Sequence, residues 1–589
     1  MRREIDHIII ENNFESETIF NLNEIDHHIT EYEFIFLIDI KKREENPYIR
    51  IEWYLPLVDI GYMWHPLCGM DRSLKADWDS DISTMTAKSA PVFCFYNEQG
   101  KNRFTFALSE IKKTVHMNAG VHEENGMLRI KAEIPMKECM TGEEYRLCLY
   151  MNKADTLYYD TLNGVREWWE NACELRPMKV PEIGKSPMYS TWYSFHQEMS
   201  AEEIEAECKR AKEMGFDTII LDDGWQTDDN HRGYAYCGDW QPTGSKFPDM
   251  ADHVAAVHDI GMKYMIWFSV PFVGIHADNW NTFAGKLLYY NETLGAGVLD
   301  LRYKEVRDYL INVYTMAVSK WYLDGIKLDF IDEFYVRTDT KEYEAGMDYH
   351  CVQEALDCFM TALMQQLVRI KPDILVEFRQ KSIGPNMRKY GNIFRVNDCP
   401  NSALSNRVGS IDLRLLSGRT AVHSDMIMWN QDETAEGAAR HILNSIFATM
   451  QLSVKLENIT DRQKRMVCFW VDFQKRHQEL LQDSVIRPYE PQNLYPVVEV
   501  KNDRESIIAL YSTRRIVELD TGLISSIIIN ATKEIEVVVY LTESLFCRII
   551  QRDCCGEVLS DTERVLDSGY SAIPVTESGM LQIMAGQPE

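Results

Sequence analysis

A chain of 589 residues is too long for one hydrophobic core, so about two to four domains are expected. Hydrophobic residues make up 45% and charged residues 26%, a globular composition that excludes a disordered or fibrous chain. Asp plus Glu (91) outnumber Lys plus Arg (62), and the net charge of -29 argues against nucleic acid or an anionic membrane as partner, since both demand a basic face. A neutral ligand suits this balance better. The start, Met1-Arg2-Arg3-Glu4-Ile5-Asp6-His7, lacks the apolar stretch of a signal peptide, and no run of apolar residues is long enough to span a membrane. Apart from Cys554-Cys555, the 14 cysteines are scattered, without zinc spacing. Reduced thiols in a cytoplasmic protein are expected.

Residues 1–180 read as an N-terminal antiparallel β-sandwich. Glu33-Phe34-Ile35-Phe36-Leu37-Ile38, Ile49-Arg50-Ile51-Glu52-Trp53-Tyr54 and Tyr145-Arg146-Leu147-Cys148-Leu149-Tyr150 are rich in strand formers and separated by polar turns. The segment from Trp64 to Trp78 is expected to be a surface loop, its two tryptophans either facing a ligand or packing at an interface.

Pro177, Pro181 and Pro187 mark a linker, after which strand, loop and helix alternate over residues 181–485. Met188 to Tyr193 is a first strand. Ser200-Ala201-Glu202-Glu203 is a capping box, opening a helix with Ile204, Cys208, Ala211 and Met214 on one face and Gly215 at its end. Further strands are expected at 218–221, 264–268, 326–330, 374–378, 392–396, 420–423 and 452–454, with helices at about 250–260, 304–322 and 343–370. Eight such units predict a closed (β/α)8 barrel of parallel strands, and no GxGxxG follows the first strand to suggest a dinucleotide fold. Residues 486–589 return to β and are expected to form a small antiparallel C-terminal domain.

The chemistry gathers at strand ends. Gly325-Ile326-Lys327-Leu328-Asp329-Phe330 reads as a buried parallel strand that carries a Lys and an Asp, a costly arrangement unless they are paired or sit where the strand opens into loops. Asp222 and Asp223 end the second strand, Asp329 the fourth, and Asp398 follows the sixth. Trp192, Trp225 and Trp267 lie beside them, and Lys327 and Arg379 add positive charge. In a barrel these ends share one rim, where such enzymes keep their chemistry. Carboxylates, aromatic faces and hydrogen-bonding charges suit a sugar.

Glycoside cleavage needs two carboxyl groups, one to attack the anomeric carbon and one to protonate the departing oxygen, about 5–5.5 Å apart in a retaining enzyme. Asp329 is the expected nucleophile, kept ionised by Lys327 two residues away on the same face. Asp398 is the expected acid/base, which requires a drier or more anionic setting, with Cys399-Pro400 as apolar cover. Plainer readings stand beside these. Asp398 reads equally as a loop cap, Asp222-Asp223-Gly224 as a turn, Lys327 as a rim salt bridge, and Asp222, Asp223 and Asp329 together as a divalent-metal site. His423 reads as a core histidine and Cys399 as a small hydrophobe.

From about Tyr189 to Trp429 the chain resembles the α-galactosidases of glycoside hydrolase family 36. The resemblance is carried by Ser190-Thr191-Trp192, Leu221-Asp222-Asp223-Gly224-Trp225, Gly238-Asp239-Trp240, Lys246-Phe247-Pro248, Val257-His258-Asp259-Ile260-Gly261-Met262-Lys263, Val298-Leu299-Asp300-Leu301 and the Lys327-x-Asp329 pair, in the family's order. It implies a retaining mechanism with Asp329 as nucleophile and Asp398 as acid/base, an Arg a few residues on being Arg407. It implies that Asp222 and Asp223 hold O4 and O6, that Lys327 reaches O3 and O4, and that Trp192 and Trp267 flank the ring. No metal or cofactor is implied, and a homo-oligomer is implied by analogy.

The chain departs from the family in three places. Phe330-Ile331 follows the nucleophile where x-Asn is usual, Leu294 or Gly295 stands in place of an Arg, and the loop usually rich in Cys and Gly is Glu377-Phe378-Arg379-Gln380-Lys381. The expected activity is exo-acting release of a terminal α-linked galactose-like unit. An α-N-acetylgalactosaminidase, an enzyme for an anionic or otherwise altered sugar, a transglycosylase and a non-catalytic carbohydrate binder are the alternatives.

Overall fold

The computed structural model describes residues 2–14, 16–38, 46–137, 144–380 and 383–586. Lys381 of the loop quoted above lies outside them. Eight short parallel strands form the central sheet: β1 (Met188–Ser190), β2 (Thr218–Leu221), β3 (Lys263–Ser269), β4 (Gly325–Asp329), β5 (Leu375–Arg379), β6 (Ile393–Arg395), β7 (Ala421–His423) and β8 (Gln451–Leu452). Their hydrogen-bonded order is β7-β6-β5-β4-β3-β2-β1-β8. Isolated parallel bridges His423–Thr449 and Ile427–Leu452 join the end of β7 and the segment after it to the residues around β8, which closes the sheet as a barrel. The expected (β/α)8 architecture is present.

The chain divides into two compact units, Met1–Lys179 with Gln226–Thr243 and Trp267–Asn392, and Val180–Trp225 with Gly244–Ile266 and Ile393–Glu589. In the first, residues up to Asn152 form two six-stranded sheets. Alternating inward residues such as Phe34, Phe36, Ile49, Ile51, Phe104 and Phe106 make their shared core. Trp64 is buried in a strand and Trp78 is exposed, so the 64–78 segment has one tryptophan in the core and one in solvent.

An all-β reading of residues 1–180 misses helix α1 (Tyr158–Ala172). Tyr158, Leu162, Val165 and Trp169 recur at helical spacing and are buried, and the Trp169 indole donates to the Leu108 carbonyl at 2.8 Å. The excursion after β3 folds into a three-stranded antiparallel sheet (Phe272–Gly274, Leu287–Asn291, Ala296–Leu299) that was not anticipated. Helix α4 (Lys304–Trp321) precedes β4 and α5 (Val352–Ile370) precedes β5. α5 starts nine residues later than expected because Gly346 takes a φ of 102° and Asp348 is held by Arg307.

In the second unit, α2 (Ala201–Glu213) begins as expected, with the Ser200 hydroxyl accepting from the Glu203 amide. Helix α3 (Met250–Asp259) leads to β3, and α6 (Ala403–Ser417) follows β6. The C-terminal residues form a seven-stranded and a three-stranded sheet, mostly antiparallel. Two pairs are parallel: Glu505–Leu510 with Ser525–Asn530, and Ile516–Glu518 with Glu536–Leu541. A parallel pair needs a crossover, and residues 511–524 supply it by running through the smaller sheet.

Candidate active site

In the first unit, β4 and β5 pair in register, Lys327 opposite Glu377 and Asp329 opposite Arg379. Residues two apart on a strand share a face, so four charged side chains form a square of alternating sign. Lys327, Asp329 and Glu377 are all buried, and the Arg379 side chain is only 14% exposed. Each charge gains opposite neighbours, the condition under which a sheet tolerates them.

Asp329 is held at both oxygens. Its Oδ1 accepts from the Phe330 amide at 2.8 Å, and its Oδ2 from the Trp267 indole at 3.0 Å. Arg379 adds Nε at 3.2 Å from Oδ1 and Nη2 at 3.4 Å from Oδ2. Phe330 has a φ of 62°, and this left-handed turn directly after the strand aims its amide back at the carboxylate. Its ring lies 4.8 Å from the Arg379 guanidinium and 5.1 Å from the rings of Tyr234 and Phe272. In the following turn, burial pushes the Asp332 carboxyl up to about 6, against the pull of Arg379.

In the second unit, the β1 and β2 ends interlock. The Asp222 amide donates to the Thr191 hydroxyl, Asp223 accepts from the Gln197 amide group at 2.8 Å, and Lys246 Nζ donates to the carbonyls of Gln197 and Gly224. Gly224 has a φ of 120°, and a Cβ there would meet Gln197 Cα at 2.6 Å, so the close approach demands glycine. Trp192 packs edge-on against His196, with ring centroids 4.8 Å apart.

At the ends of β6 and β7, Arg395 Nη1 lies 2.9 Å from Asp398 Oδ1 and 2.6 Å from Asp425 Oδ1. Asp425 is buried and also accepts from Tyr193 Oη at 3.0 Å and the Cys399 amide at 2.6 Å. Burial raises its carboxyl pKa, with the negative charge of Asp398 acting in the same direction. Asp398 itself is 39% exposed and paired with Arg395, so its setting is not dry, and the cation beside it works against the more anionic setting expected of an acid.

The two units thus collect different groups. The first brings Asp329, Trp267, Lys327 and Arg379 together; the second aligns Asp222 and Asp223 beside Trp192 and ties Asp398 to Arg395. Arg407 is committed elsewhere, to Asn444 Oδ1 at 3.0 Å and the Leu494 carbonyl at 3.1 Å, with its guanidinium over Tyr511. His423 is a buried histidine bonded to the Gly184 carbonyl and to Gln451, its pKa lowered by burial to about 4. Sequence reading overlooked Arg395 and Asp425. Their signal was a charged residue at the end of an apolar strand, the same signal that marked Asp329. Among the described residues, three side chains of metal-ligating type converge at Asp553, Cys554 and Cys555.

A family model described as Melibiase matches residues 179–484, more than half of the chain. The bifunctional α-galactosidase/sucrose kinase AgaSK of Mediterraneibacter gnavus is 24% identical over 208 residues, 34% of this chain and 21% of that protein. The α-galactosidase of Escherichia coli is 24% identical over 198 residues, 30% of this chain and 27% of that one. The chain therefore aligns with about a quarter of the length of these curated relatives. The structure of the GH36 α-galactosidase AgaA from Geobacillus stearothermophilus superposes with a TM-score of 0.67 at 13% identity, covering 98% of this chain and 83% of the other. The α-galactosidase from Lactobacillus brevis gives 0.66 at 14% identity, covering 99% and 86%. On the strength of the family match and a shared fold that runs nearly the whole length, the chain belongs to the Melibiase family, with the architecture of the GH36 α-galactosidases.

Proposed function

We propose that the protein is a retaining exo-α-glycosidase, acting in the cytoplasm, that removes a terminal α-linked galactose-like unit from an oligosaccharide. The observation that carries this reading is the setting of Asp329. Its carboxylate ends a barrel strand and is fixed by an indole, a backbone amide and a guanidinium, in a chain of the Melibiase family. A carboxylate held this firmly is oriented for attack rather than left to swing in solvent.

Ionised Asp329 attacks the anomeric carbon from the face opposite the leaving group. As the C–O bond breaks, Asp398 passes its proton to the glycosidic oxygen, and the sugar is left as an ester of Asp329. Asp398, now ionised, takes a proton from water, the water oxygen attacks the anomeric carbon, and Asp329 leaves. Two inversions restore the α configuration. Arg395 steadies the ionised form of Asp398 between the steps, while Asp425 limits how strongly it does so. Asp222, Asp223 and Lys327 take the sugar hydroxyls, and Trp192 and Trp267 its ring. The solved complex of an AgaA variant with raffinose supports an α-galactosyl oligosaccharide as substrate.

A second reading, an enzyme for an anionic or otherwise altered sugar, is favoured by Arg379 against the proposed nucleophile. Proton NMR of the first sugar released from an aryl α-galactoside tests the proposal. The α anomer is expected first. The β anomer would mean inversion, and turnover only of an analogue carrying an anionic group would select the second reading.

A further inference from the structure

The turn that joins the strands Leu545–Arg552 and Val558–Leu566 carries Asp553, Cys554 and Cys555 in succession, all within the second unit. A carboxylate oxygen and the two sulfurs lie within 4.8 Å of one another. We propose that this turn binds one thiophilic divalent cation, of the Zn2+ type. The proposal does not depend on the glycosidase reading.

Sulfur spacing is the first argument. The two Sγ atoms are 3.9 Å apart. Two thiolates bound at 2.3 Å to a tetrahedral ion stand about 3.8 Å from each other. A disulfide needs sulfurs about 2.05 Å apart and Cα atoms at least about 4.4 Å apart. Neighbouring residues have Cα atoms only about 3.8 Å apart. The pair is thus spaced for an atom between the sulfurs rather than a bond between them.

Preorganisation is the second. Asp553 Oδ1 accepts from the amides of Cys555 and Glu557, both at 2.9 Å, and the Gly556 amide donates to the Asp553 carbonyl at 3.0 Å. Gly556 has a φ of 82°, and a Cβ there would run into the Phe469 ring, so the turn is pressed against the helix Asp461–Arg476. With Oδ1 given to the turn, Oδ2 carries the lone pairs left for an ion. The ligands are therefore gathered before the ion arrives, which lowers the entropy lost on binding.

Charge and access are the third. Two thiolates and a carboxylate outweigh a doubly charged ion by one negative charge. Arg462 Nη2 lies 3.8 Å from Asp553 Oδ2, but this half-exposed guanidinium is also paired with Glu436, so it opposes the ion less. Cys554 is buried, whereas Cys555 and Asp553 are half-buried and give the ion its way in. Sulfur ligands select a Zn2+-like ion over Ca2+ or Mg2+, which take oxygen. Three protein ligands leave the fourth corner of the tetrahedron to water, so no second cysteine pair is required.

The test uses Cd2+ as a probe on the full chain, reduced and stripped with a chelator, and follows the ultraviolet absorption of cadmium bound to thiolates. The native protein is expected to show this band with release of two protons, one from each thiol, and Zn2+ is expected to displace the probe. Cys554→Ser and Cys555→Ser are each expected to weaken binding by about 100-fold or more, beyond the cost of a lost outer-shell contact. Cys555→Ser, at the half-buried position, covers the case in which Cys554→Ser does not fold. Asp553→Asn keeps the Oδ1 acceptor, and with it the turn, yet loses the charged Oδ2, and about a tenfold loss is expected. A Cd2+ titration that Cys555→Ser reproduces unchanged, or a probe displaced by Ca2+ as readily as by Zn2+, overturns the site.

Discussion

Asp329 and Arg379 stand opposite one another on β4 and β5, and the guanidinium touches both oxygens of the carboxylate, at 3.2 and 3.4 Å. Arg379 therefore orients the carboxylate proposed as nucleophile. Arg379→Ala removes that contact, and kcat/KM for an aryl α-galactoside is expected to fall by about 10²-fold, the cost of a misplaced reacting group. A buried carboxylate left without its partner also costs stability, about 3 kcal/mol. Rate measurements and denaturant titrations of the two proteins check both effects, and an unchanged kcat/KM would separate Arg379 from the proposed nucleophile.

In the proposed mechanism Asp398 acts on the leaving group, so its loss should show in proportion to how badly that group needs a proton. Asp398→Ala is expected to lower kcat/KM for methyl α-galactoside by about 10²- to 10⁴-fold. An α-galactoside with a dinitrophenolate leaving group should be affected far less in the first step. Equal losses on both substrates would remove Asp398 from the acid role.

Asp425 competes with Asp398 for one guanidinium. Asp425→Asn keeps the shape but withdraws a negative charge, leaving Arg395 more fully to Asp398. Both changes lower the proton affinity of Asp398. In the proposed mechanism the acid is protonated as substrate binds, so the basic limb of kcat/KM is expected to shift to lower pH. General damage to the fold would instead lower activity at every pH.

Asp332 carries a carboxyl pushed up to about 6 by burial, above its ordinary value of 3.8. Between these values the folded protein binds more protons than the unfolded chain, so this group's contribution to stability falls as pH rises from about 4 to 6 and is fully lost above 6. Asp332→Asn removes the titration. Relative to the native protein, the variant is expected to gain up to about 3 kcal/mol on going from pH 4 to pH 7. Unfolding free energies at several pH values measure this difference, and a difference that is flat with pH would contradict it.

The barrel was legible because each strand is a short apolar run followed by a polar loop and an amphipathic helix. The carboxylates at 222, 223, 329 and 398 stood out as charges at the ends of such runs. What stayed hidden depended on partners far away in the chain. Nothing near Arg395 announces that it will share its charge with Asp425, thirty residues on. Nor does the helical face of Arg407 reveal that Leu494 and Tyr511 will claim its guanidinium. Helix α1 was hidden differently: its apolar spacing is present, but it sits amid residues dominated by strand formers. The parallel pairs near the C-terminus depend on which sheet residues 511–524 join, a choice that alternation alone does not encode.

The left-handed residue after Asp329 carries a cost. A side chain in that conformation is worse by about 1–2 kcal/mol than in the ordinary region. Glycine at position 330 would relieve it, yet would take away the ring that lies against Arg379, Tyr234 and Phe272. Backbone comfort and aromatic contact thus pull position 330 in opposite directions. Anyone engineering this scaffold for heat resistance should leave the residue alone and look for gains far from the strand it terminates.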